Sequence, residues 1–347
     1  MAPLYSVSGR LSTVILCVTT RCNLSCRYCY MECRPDGEDM GEGVLSSSIK
    51  LISLHQPQRV QITGGEPLLY KGLRNAVVEI SRASPKSIIS IQTNGTLINR
   101  EWAQFFKKFH VDLGISIDGT PEVNDKIRGK SERVFKNLGL LREEGVPFGV
   151  TVVVTSVNCL DIHRLSLLLG AFPNFLGLGL DFLTRRGRAL CERRLFPDEA
   201  TLKDGFETLL DSIRFMRAQG RNIYWRELKR FSSKGQSGPF CHMEANSALS
   251  IHPNGCLYPC GHLLGDDRFF IGNINDFLGK RILPPYPISL RSKDILRECT
   301  NCEIRHFCPG DCPSRIFYNR IGGADLGTTA TCILNKIFAR SFESVQQ

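Results

Sequence analysis

The stretch TVILCVTTRCNLSCRYCYMEC (residues 13–33) leads from an apolar, β-branched run straight into four closely spaced cysteines. The apolar run predicts a buried strand, and Cys22, Cys26, Cys29 and Cys33 follow it. Four thiolates could close a metal site, whereas three spaced in this way could hold one corner of a 4Fe–4S cube. A ferredoxin-type run has different spacing and a following proline, and structural zinc usually pairs two close cysteines with a distant pair. The spacing therefore favours a three-ligand iron–sulfur cluster, with zinc and non-ligand cysteines as alternatives.

The composition is that of a globular protein with one large and one smaller domain. The chain has 347 residues, of which 42% are apolar and 22% charged, and this length exceeds what one small core needs. No apolar run approaches the roughly 18–20 residues that span a bilayer. The first residues lack the charged start, apolar core and cleavage site of a signal peptide. These features predict a cytoplasmic protein that has no membrane partner.

Fifteen cysteines are many for a protein in a reducing compartment, where clustered cysteines indicate metal or redox chemistry more often than disulfides. The formal charge of +10 counts every thiol as neutral. Thiolates that bind three iron–sulfur clusters would lower it to about +5. That excess does not require nucleic acid, and no basic run has interleaved aromatics. We therefore expect no nucleic-acid partner. Three cysteines outside the clusters are predicted to be core residues: Cys17, Cys159 and Cys191.

Short β-branched runs alternate with helical segments through the first 185 residues, which predicts parallel strands. The fold class is α/β: a partial (β/α)6 TIM-like barrel followed by a small, cysteine-rich α+β domain that metal clusters staple together. The predicted boundaries are 1–220 for the barrel, 221–240 for a polar linker and 241–347 for the small domain. The predicted strands are Ser12–Thr19, Arg59–Thr63, Ser87–Gln92, Asp112–Ile117, Gly149–Thr155 and Leu178–Leu183. The predicted helices are 44–55, 73–84, 99–108, 133–145, 159–170 and Asp198–Gln219.

Polar and glycine-rich motifs follow five of the six predicted strands. They are the cysteine run, TGGEP (63–67), QTNG (92–95), SIDG (116–119) and DFLTRRGR (181–188). In parallel β/α folds the loops after the strands converge on one face and build the active site. This placement predicts an enzyme.

The motifs together resemble the radical S-adenosylmethionine (SAM) superfamily. The resemblance rests on CxxxCxxC with Tyr28 before its third cysteine, and on GGEP, TNG, SIDG and DKIRG (125–129). It implies that Cys22, Cys26 and Cys29 bind three irons of a 4Fe–4S cluster, and that SAM chelates the fourth iron. The other SAM-binding positions implied are Gly64, Gly65 and Glu66 for the amino group, Ser116 and Arg128 for the carboxylate, and Thr93 or Asn94 near the ribose.

The residue types suit these roles. A glycine pair lets the backbone approach a ligand closely, Glu66 can accept from an ammonium, and Arg128 can grip a carboxylate with its forked guanidinium. Cys33 is expected to be a bystander.

The C-terminal cysteines resemble the SPASM domain, an auxiliary-cluster module of radical SAM enzymes that act on peptides and proteins. Every spacing of its motif is met by Cys241, Gly255, Cys260, Cys299, Cys302, Cys308, Cys312 and Cys332. The resemblance implies one auxiliary cluster on Cys299, Cys302, Cys308 and Cys332, and another on Cys241, Cys260 and Cys312. Cys256 is a candidate fourth ligand for the latter. In an extended strand, however, it would lie about 13 Å from Cys260, unless Pro259 bends the chain.

The resemblance implies reductive cleavage of SAM to methionine and a 5′-deoxyadenosyl radical, which abstracts a substrate hydrogen. The leading hypothesis is a peptide maturase that forms a cross-link or a similar oxidative modification. Its partners would be a peptide or protein substrate, an external electron donor (flavodoxin or ferredoxin) and a separate leader-recognition protein, since only 21 residues precede Cys22.

Three alternatives stay open. A sulfatase-maturing enzyme usually has Asp after the cysteine that corresponds to Cys260, where this chain has Gly261. A haem-biosynthesis-like radical SAM enzyme is the second alternative, and a pure electron-transfer protein is the third. The sequence identifies no catalytic base.

Overall fold

The computed structural model describes residues 11–233, 238–280, 286, 297–321 and 329–343. The chain divides into two compact units, each built from three separate segments. The first unit comprises Met1–Ser25, Met31–Gly114 and Cys241–Leu290, and the second comprises Cys26–Tyr30, Ile115–Phe240 and Arg291–Gln347. The boundary crosses the cysteine loop (residues 22–33), so that Cys22 belongs to the first unit and Cys26 and Cys29 to the second.

Among the residues that the structure describes, the first unit is a mostly parallel sheet with three helices. Strand β1 (Thr13–Thr19) pairs in parallel with β2 (Arg59–Gly64), and β2 with β3 (Ile88–Thr93). On its other side β1 pairs in parallel with β8 (Ala248–Ile251). Six of the seven side chains of β1 are buried, as expected for an apolar strand inside a parallel sheet.

The remaining strands of the first unit are short and antiparallel. Strand β9 (Cys256–Tyr258) pairs with β8, and β10 (Gly272–Asn273) pairs with β9. The chain passes from the first unit to the second inside β4 (Asp112–Ser116). The helices of the first unit are α1 (Glu42–His55), α2 (Leu73–Ala83) and α3 (Arg100–Lys108).

The second unit contains β5 (Phe148–Val154), β6 (Phe175–Phe182) and β7 (Tyr224–Trp225), which pair in parallel in that order. Its helices are α4 (Pro121–Ile127), α5 (Ser131–Glu143), α6 (Ile162–Gly170), α7 (Glu199–Ala218), α8 (Arg226–Ser233), α9 (Pro313–Ile321) and α10 (Ala330–Glu343). Helix α7 begins where Asp198 accepts a hydrogen bond from the Thr201 N–H, which satisfies one free amide of the first turn.

Parallel strands that alternate with helices confirm the predicted α/β fold class, and all six predicted barrel strands are present. The largest difference is in β6, which begins at Phe175, three residues earlier than predicted. Helix α4 was not predicted. The segment interpreted as a polar linker contains helix α8, because Leu228 and Phe231 are buried beneath its charged side chains. The division into 1–220, 221–240 and 241–347 stays a prediction.

Within the residues that the structure describes, no helix is long and apolar enough to cross a membrane.

Candidate active site

The glycine pair after β2 holds the backbone that leads into Cys22. The Gly65 N–H donates to the Thr19 carbonyl and the Glu66 N–H to the Arg21 carbonyl, both at 2.8 Å. A Cβ at Gly64 or Gly65 would lie 2.1 Å from the Thr19 or Arg21 carbonyl oxygen, respectively. Only glycine permits this approach. Glycine is therefore required at both positions by a close contact with the protein's own backbone just before Cys22, whether or not a ligand also binds there.

Glu66 is fully buried, and its carboxylate accepts three hydrogen bonds from the first unit. One oxygen accepts from the Thr93 hydroxyl at 2.7 Å and from the Leu68 N–H at 3.1 Å. The other accepts from the Asn94 N–H at 2.7 Å. A carboxylate offers about four acceptor positions. At least three of them are used here, and two of the donors lie at the end of β3, so the side chain joins β2 to β3. Its predicted contact with an ammonium group stays a prediction.

Asn94 connects the end of β3 to the cysteine loop. Its side-chain amide donates to Asn23 Oδ1 at 2.9 Å and lies 4.0 Å from the Cys22 sulfur. The Leu24 N–H is 3.4 Å from the same sulfur. Donors directed at this sulfur suit a thiolate that binds iron. The predicted positions Thr93 and Asn94 therefore lie beside Glu66 and Cys22, and their proximity to a ribose stays a prediction.

In the second unit Tyr28, Asp118 and Arg128 form a buried triad. The Tyr28 hydroxyl donates to Asp118 Oδ2 at 2.5 Å, and Arg128 Nη1 donates to the Tyr28 oxygen at 2.6 Å. Arg128 Nη1 also lies 3.5 Å from Asp118 Oδ2. Burial raises the pKa of Asp118, Tyr28 and the Cys26 thiol, and in each case the positive charge of Arg128 opposes the rise.

Asp118 is the residue of this triad that we did not predict. It is fully buried, and its Oδ1 accepts from the Val153 N–H at 2.8 Å. Its own N–H donates to Asn124 Oδ1, and its carbonyl accepts from Asn158 Nδ2. The SIDG motif contains Asp118, but the motif does not reveal which partners the carboxylate has. Ser116 ends β4 and is partly buried.

The loop after β6 (residues 183–197, here the β6 loop) holds the second half of the cysteine loop. The Arg188 N–H donates to the Cys29 carbonyl at 3.1 Å, and Arg188 Nη1 donates to the Cys26 carbonyl at 3.2 Å. Gly187 has φ +58°, and a Cβ there would lie 2.5 Å from the Cys29 carbonyl oxygen. The buried side chains Ala189 and Leu195 pack in one cluster with Tyr28. These contacts fix the backbone that carries Cys26 and Cys29.

Four C-terminal cysteines of the second unit affect one another's thiol pKa and therefore lie near each other, while their ligation of one cluster stays a prediction: Cys299, Cys302, Cys308 and Cys332. Burial raises the pKa of Cys299, and the nearby Cys308 and Cys302 raise it further. Burial raises the pKa of Cys332 to about 12, with smaller contributions from Asp311, Cys299 and Cys308.

Hydrogen-bond donors point at two of these sulfurs. The Cys308 sulfur accepts hydrogen bonds from Asn335 Nδ2 at 3.3 Å and from the Gly310 N–H at 3.4 Å. The Thr329 hydroxyl lies 3.2 Å from the Cys332 sulfur. Neighbouring thiols beside such donors fit a cluster, because iron binds them as thiolates and the donors stabilise that form. Cys312, the fifth C-terminal cysteine, has its sulfur 3.1 Å from the Ser314 hydroxyl.

In the first unit Cys241 and Cys260 lie near the hydroxyl of the partly buried Tyr286, whose pKa both cysteines raise after the larger effect of burial. Cys256 has other neighbours: burial raises the pKa of its thiol, followed by Asp267. The chain is extended in β9 and again at Cys260, where φ is −153° and ψ is 151°. This geometry favours the larger separation of Cys256 and Cys260, although ligation by Cys256 stays a prediction.

The cysteines that we expected in the core differ in exposure. Cys17 and Cys159 are buried, and Cys33 is buried as well. Cys191 is exposed, so its prediction was wrong, because the short turn Gly187–Cys191 ends at the surface. Among the residues described, no three Cys, His, Asp or Glu side chains converge on a single metal ion. A 4Fe–4S cluster, in contrast, spreads its thiolates over several irons.

Comparisons with known proteins agree with this arrangement. The sequence model of the Radical SAM superfamily matches residues 16–166. An uncharacterized protein, MJ0907 of Methanocaldococcus jannaschii, is 32% identical over 274 residues, which are 76% of this chain and 88% of that protein. A serine-type anaerobic sulfatase-maturating enzyme of Klebsiella aerogenes is 27% identical over 340 residues, 85% of this chain and 78% of that enzyme.

A solved structure has the same fold. Native anSMEcpe with bound AdoMet and Kp18Cys peptide superposes with a TM-score of 0.75 at 20% identity, over 96% of this chain and 97% of that one. The matched superfamily residues contain the CxxxCxxC, GGEP, QTNG and SIDG motifs. The chain therefore belongs to the radical SAM superfamily, and it is an enzyme that uses S-adenosylmethionine and 4Fe–4S clusters.

Proposed function

We propose that this enzyme cleaves SAM reductively and modifies a peptide or protein, forming a cross-link or a similar oxidative modification. The observation that carries the proposal is the backbone of the cysteine loop: Glu66 binds the Arg21 carbonyl directly before Cys22, and Arg188 binds the carbonyls of Cys26 and Cys29. The proposal assigns Cys22, Cys26 and Cys29 to three irons. Bound cluster and SAM would supply the 5′-deoxyadenosyl radical that abstracts a substrate hydrogen.

The buried triad supports the assignment of Arg128 to the carboxylate of SAM. Asp118 and Tyr28 both hold Nη1 of Arg128, so they fix the direction of the guanidinium before any ligand binds. Preorganisation of this kind lowers the entropy that binding must overcome. Ser116, two residues before Asp118 along the chain, is the second residue assigned to that carboxylate.

A cavity in the second unit has a size that suits one amino-acid side chain, which supports a peptide or protein substrate. Its volume is about 110 Å³, and apolar residues at the ends of β5 and β6 line it, among them Val154, Phe182 and Leu183. Asp311 and Arg315 supply polar atoms. Asp311 Oδ2 is buried and has no hydrogen-bond partner among the residues described. A cavity of this size takes one side chain rather than a porphyrin, and Asp311 could accept a hydrogen bond from a peptide.

Sulfatase maturation is the second candidate, because the Klebsiella aerogenes relative carries that name and aligns with most of this chain. The residue that argues against it is Gly261, where such enzymes usually have Asp. A Cβ at Gly261 would meet only Ile15 within 4 Å, at 3.9 Å and beyond. The backbone therefore does not require glycine here, and the missing carboxylate points to a different substrate.

The test is anaerobic reconstitution followed by incubation with SAM and dithionite, with 5′-deoxyadenosine measured by chromatography. Candidate precursor peptides, a sulfatase and a porphyrin are then added separately and analysed by mass spectrometry. We expect 5′-deoxyadenosine in all arms and a modified mass only with a peptide. Formylglycine in the sulfatase, especially if Gly261→Asp increases it, would instead assign the second candidate. Absence of 5′-deoxyadenosine would contradict both.

The proposal includes partners. Reductive cleavage needs an external electron donor, for which a flavodoxin or a ferredoxin has suitable chemistry. A separate leader-recognition protein and a cytoplasmic location are further parts of the proposal, and the many cysteines support a reducing compartment.

A further inference from the structure

The β6 loop touches the backbone that would carry the SAM-binding cluster, and it also reaches the protein surface. Arg188 contacts the carbonyls of Cys26 and Cys29 directly. Arg27, inside the cysteine loop, forms two hydrogen bonds with Glu192, of 3.0 and 2.8 Å. Leu190, two residues beyond Arg188, is 60% exposed. Since Arg188 contacts these carbonyls, a partner that covers Leu190 would lie close to the backbone that carries Cys26 and Cys29.

Five arginines are concentrated in this loop, and they divide into two groups. Arg185 lies over the ring of Phe196, Arg186 lies over the ring of Tyr318, and Arg188 binds the cysteine loop. These three therefore have structural contacts. Arg193 and Arg194 are exposed, and neither forms an ion pair within the part of the chain that the structure describes.

The surface formed by Leu190, Cys191, Arg193 and Arg194 (the arginine patch) has the features of a transient docking site. The apolar Leu190 lies beside two cationic side chains, and a small apolar centre with a charged rim is typical of such contacts. Glu192 lies between Cys191 and Arg193 in the sequence, and its negative charge is paired with Arg27. The patch is therefore positive and would attract an acidic partner.

We propose that the arginine patch is the docking site for an acidic one-electron redox protein of the flavodoxin or ferredoxin class. This inference rests on the proposed function. The donor loses one electron per SAM cleaved, and the carbon–sulfur bond at the 5′ position of SAM breaks to give methionine and the 5′-deoxyadenosyl radical. Weak redox complexes bury small interfaces, so two arginines around one leucine can make a large share of the contact.

An acidic peptide substrate is the competing occupant. The donor is the better fit because the patch adjoins the cysteine loop itself, through Arg188 and the Arg27–Glu192 pair. Electrons must reach the cluster, whereas a substrate must reach the reactive carbon of SAM. The two occupants also differ in a way that can be measured, because a chemical reductant replaces the donor and does not replace the substrate.

The test uses the double variant Arg193→Glu/Arg194→Glu in the reconstituted full chain. A matched control, Arg133→Glu/Lys136→Glu, makes the same charge change at two exposed positions of α5. Formation of 5′-deoxyadenosine is measured with flavodoxin, its reductase and NADPH, with a reduced ferredoxin, and with dithionite. Each donor is assayed at low and high salt.

We expect the patch variant to lose about tenfold or more of kcat/KM for the protein donor at low salt. The loss should shrink as salt screens the charges. With dithionite its rate should equal that of the wild type, and the α5 control should keep both rates. An unchanged rate with both protein donors would overturn the proposal. A loss only of peptide modification, with dithionite as reductant, would assign the patch to the substrate. Failure of the wild type with dithionite would instead contradict the proposed function.

Discussion

The part of the cysteine loop that carries Cys26 and Cys29 is held differently from the C-terminal cysteines. Around Cys26 and Cys29, Arg188 binds carbonyl oxygens and Gly187 fits against one of them. Around Cys308 and Cys332, side-chain donors point at the sulfurs themselves. In the proposed assignment, the first arrangement fixes the shape of a backbone whose cluster leaves one iron open for SAM. In the same assignment, the second arrangement stabilises thiolates in a cluster that the protein ligates fully. The difference suits a catalytic cluster in one region and an auxiliary cluster in the other.

Removal of a cluster thiol should have the largest effect. Cys26→Ala should abolish SAM cleavage and lower the iron content by about four atoms from about twelve, because the cluster loses one of three protein ligands. Cys33→Ala is the matched control, since Cys33 lies in the same loop and is also buried. Iron analysis and the electron paramagnetic resonance spectrum of the reduced protein measure both. Equal losses in the two variants would mean that four cysteines, and no open iron, form the site.

Asp118→Asn should destabilise the second unit strongly, because it removes the buried carboxylate that lies beside the Arg128 guanidinium and accepts from Tyr28. Breaking a buried ion pair typically lowers the free energy of unfolding by about 3–5 kcal/mol. Asp112→Asn removes the exposed pair with Arg59 and should change it by at most about 1 kcal/mol. Urea unfolding of the reconstituted protein measures both values. Similar values for the two variants would show that the triad is not what orders this half of the cysteine loop.

Gly187→Ala should lower the rate of SAM cleavage by about ten- to a hundredfold, because its Cβ would displace the Cys29 carbonyl and a small misplacement of reacting groups is costly. Gly220→Ala is the control: its φ is also positive, at +77°, but a Cβ there meets no atom within 4 Å. Both variants carry the backbone strain, and only one has the contact. If the two rates fall equally, backbone strain rather than the contact with the cysteine loop is responsible.

Asn335→Leu should have the smallest effect. It removes the N–H that points at the Cys308 sulfur, and fewer hydrogen bonds to sulfur make reduction of a cluster less favourable. The reduction potential of one auxiliary cluster should become more negative, while SAM cleavage with dithionite persists. A potentiometric titration followed by electron paramagnetic resonance checks this. A shift in the SAM-binding cluster instead would reverse the assignment of the two regions.

The sequence predicted the strands and the cysteine motifs well, because each is a local pattern. Helices α4 and α8 were missed, since seven or eight residues are too few for a helical period to stand out. The Thr93 hydroxyl that binds Glu66 and the Tyr28 hydroxyl that binds Asp118 could not be predicted, because these hydrogen bonds join positions 27 and 90 residues apart, respectively. The motif DFLTRRGR contains both Arg186 and Arg188, and only the tertiary contacts show that Arg186 stacks on Tyr318 whereas Arg188 binds a carbonyl of the cysteine loop.

The central claim is that Cys22, Cys26 and Cys29 hold a cluster on which SAM is cleaved. The most direct test is the amount of 5′-deoxyadenosine formed by the anaerobically reconstituted protein with SAM and dithionite. The account predicts its formation by the wild type and by Cys33→Ala, and none from Cys22→Ala, Cys26→Ala or Cys29→Ala. A fully reconstituted wild type that forms no 5′-deoxyadenosine, or a Cys26→Ala variant that forms it at the wild-type rate, would contradict the account.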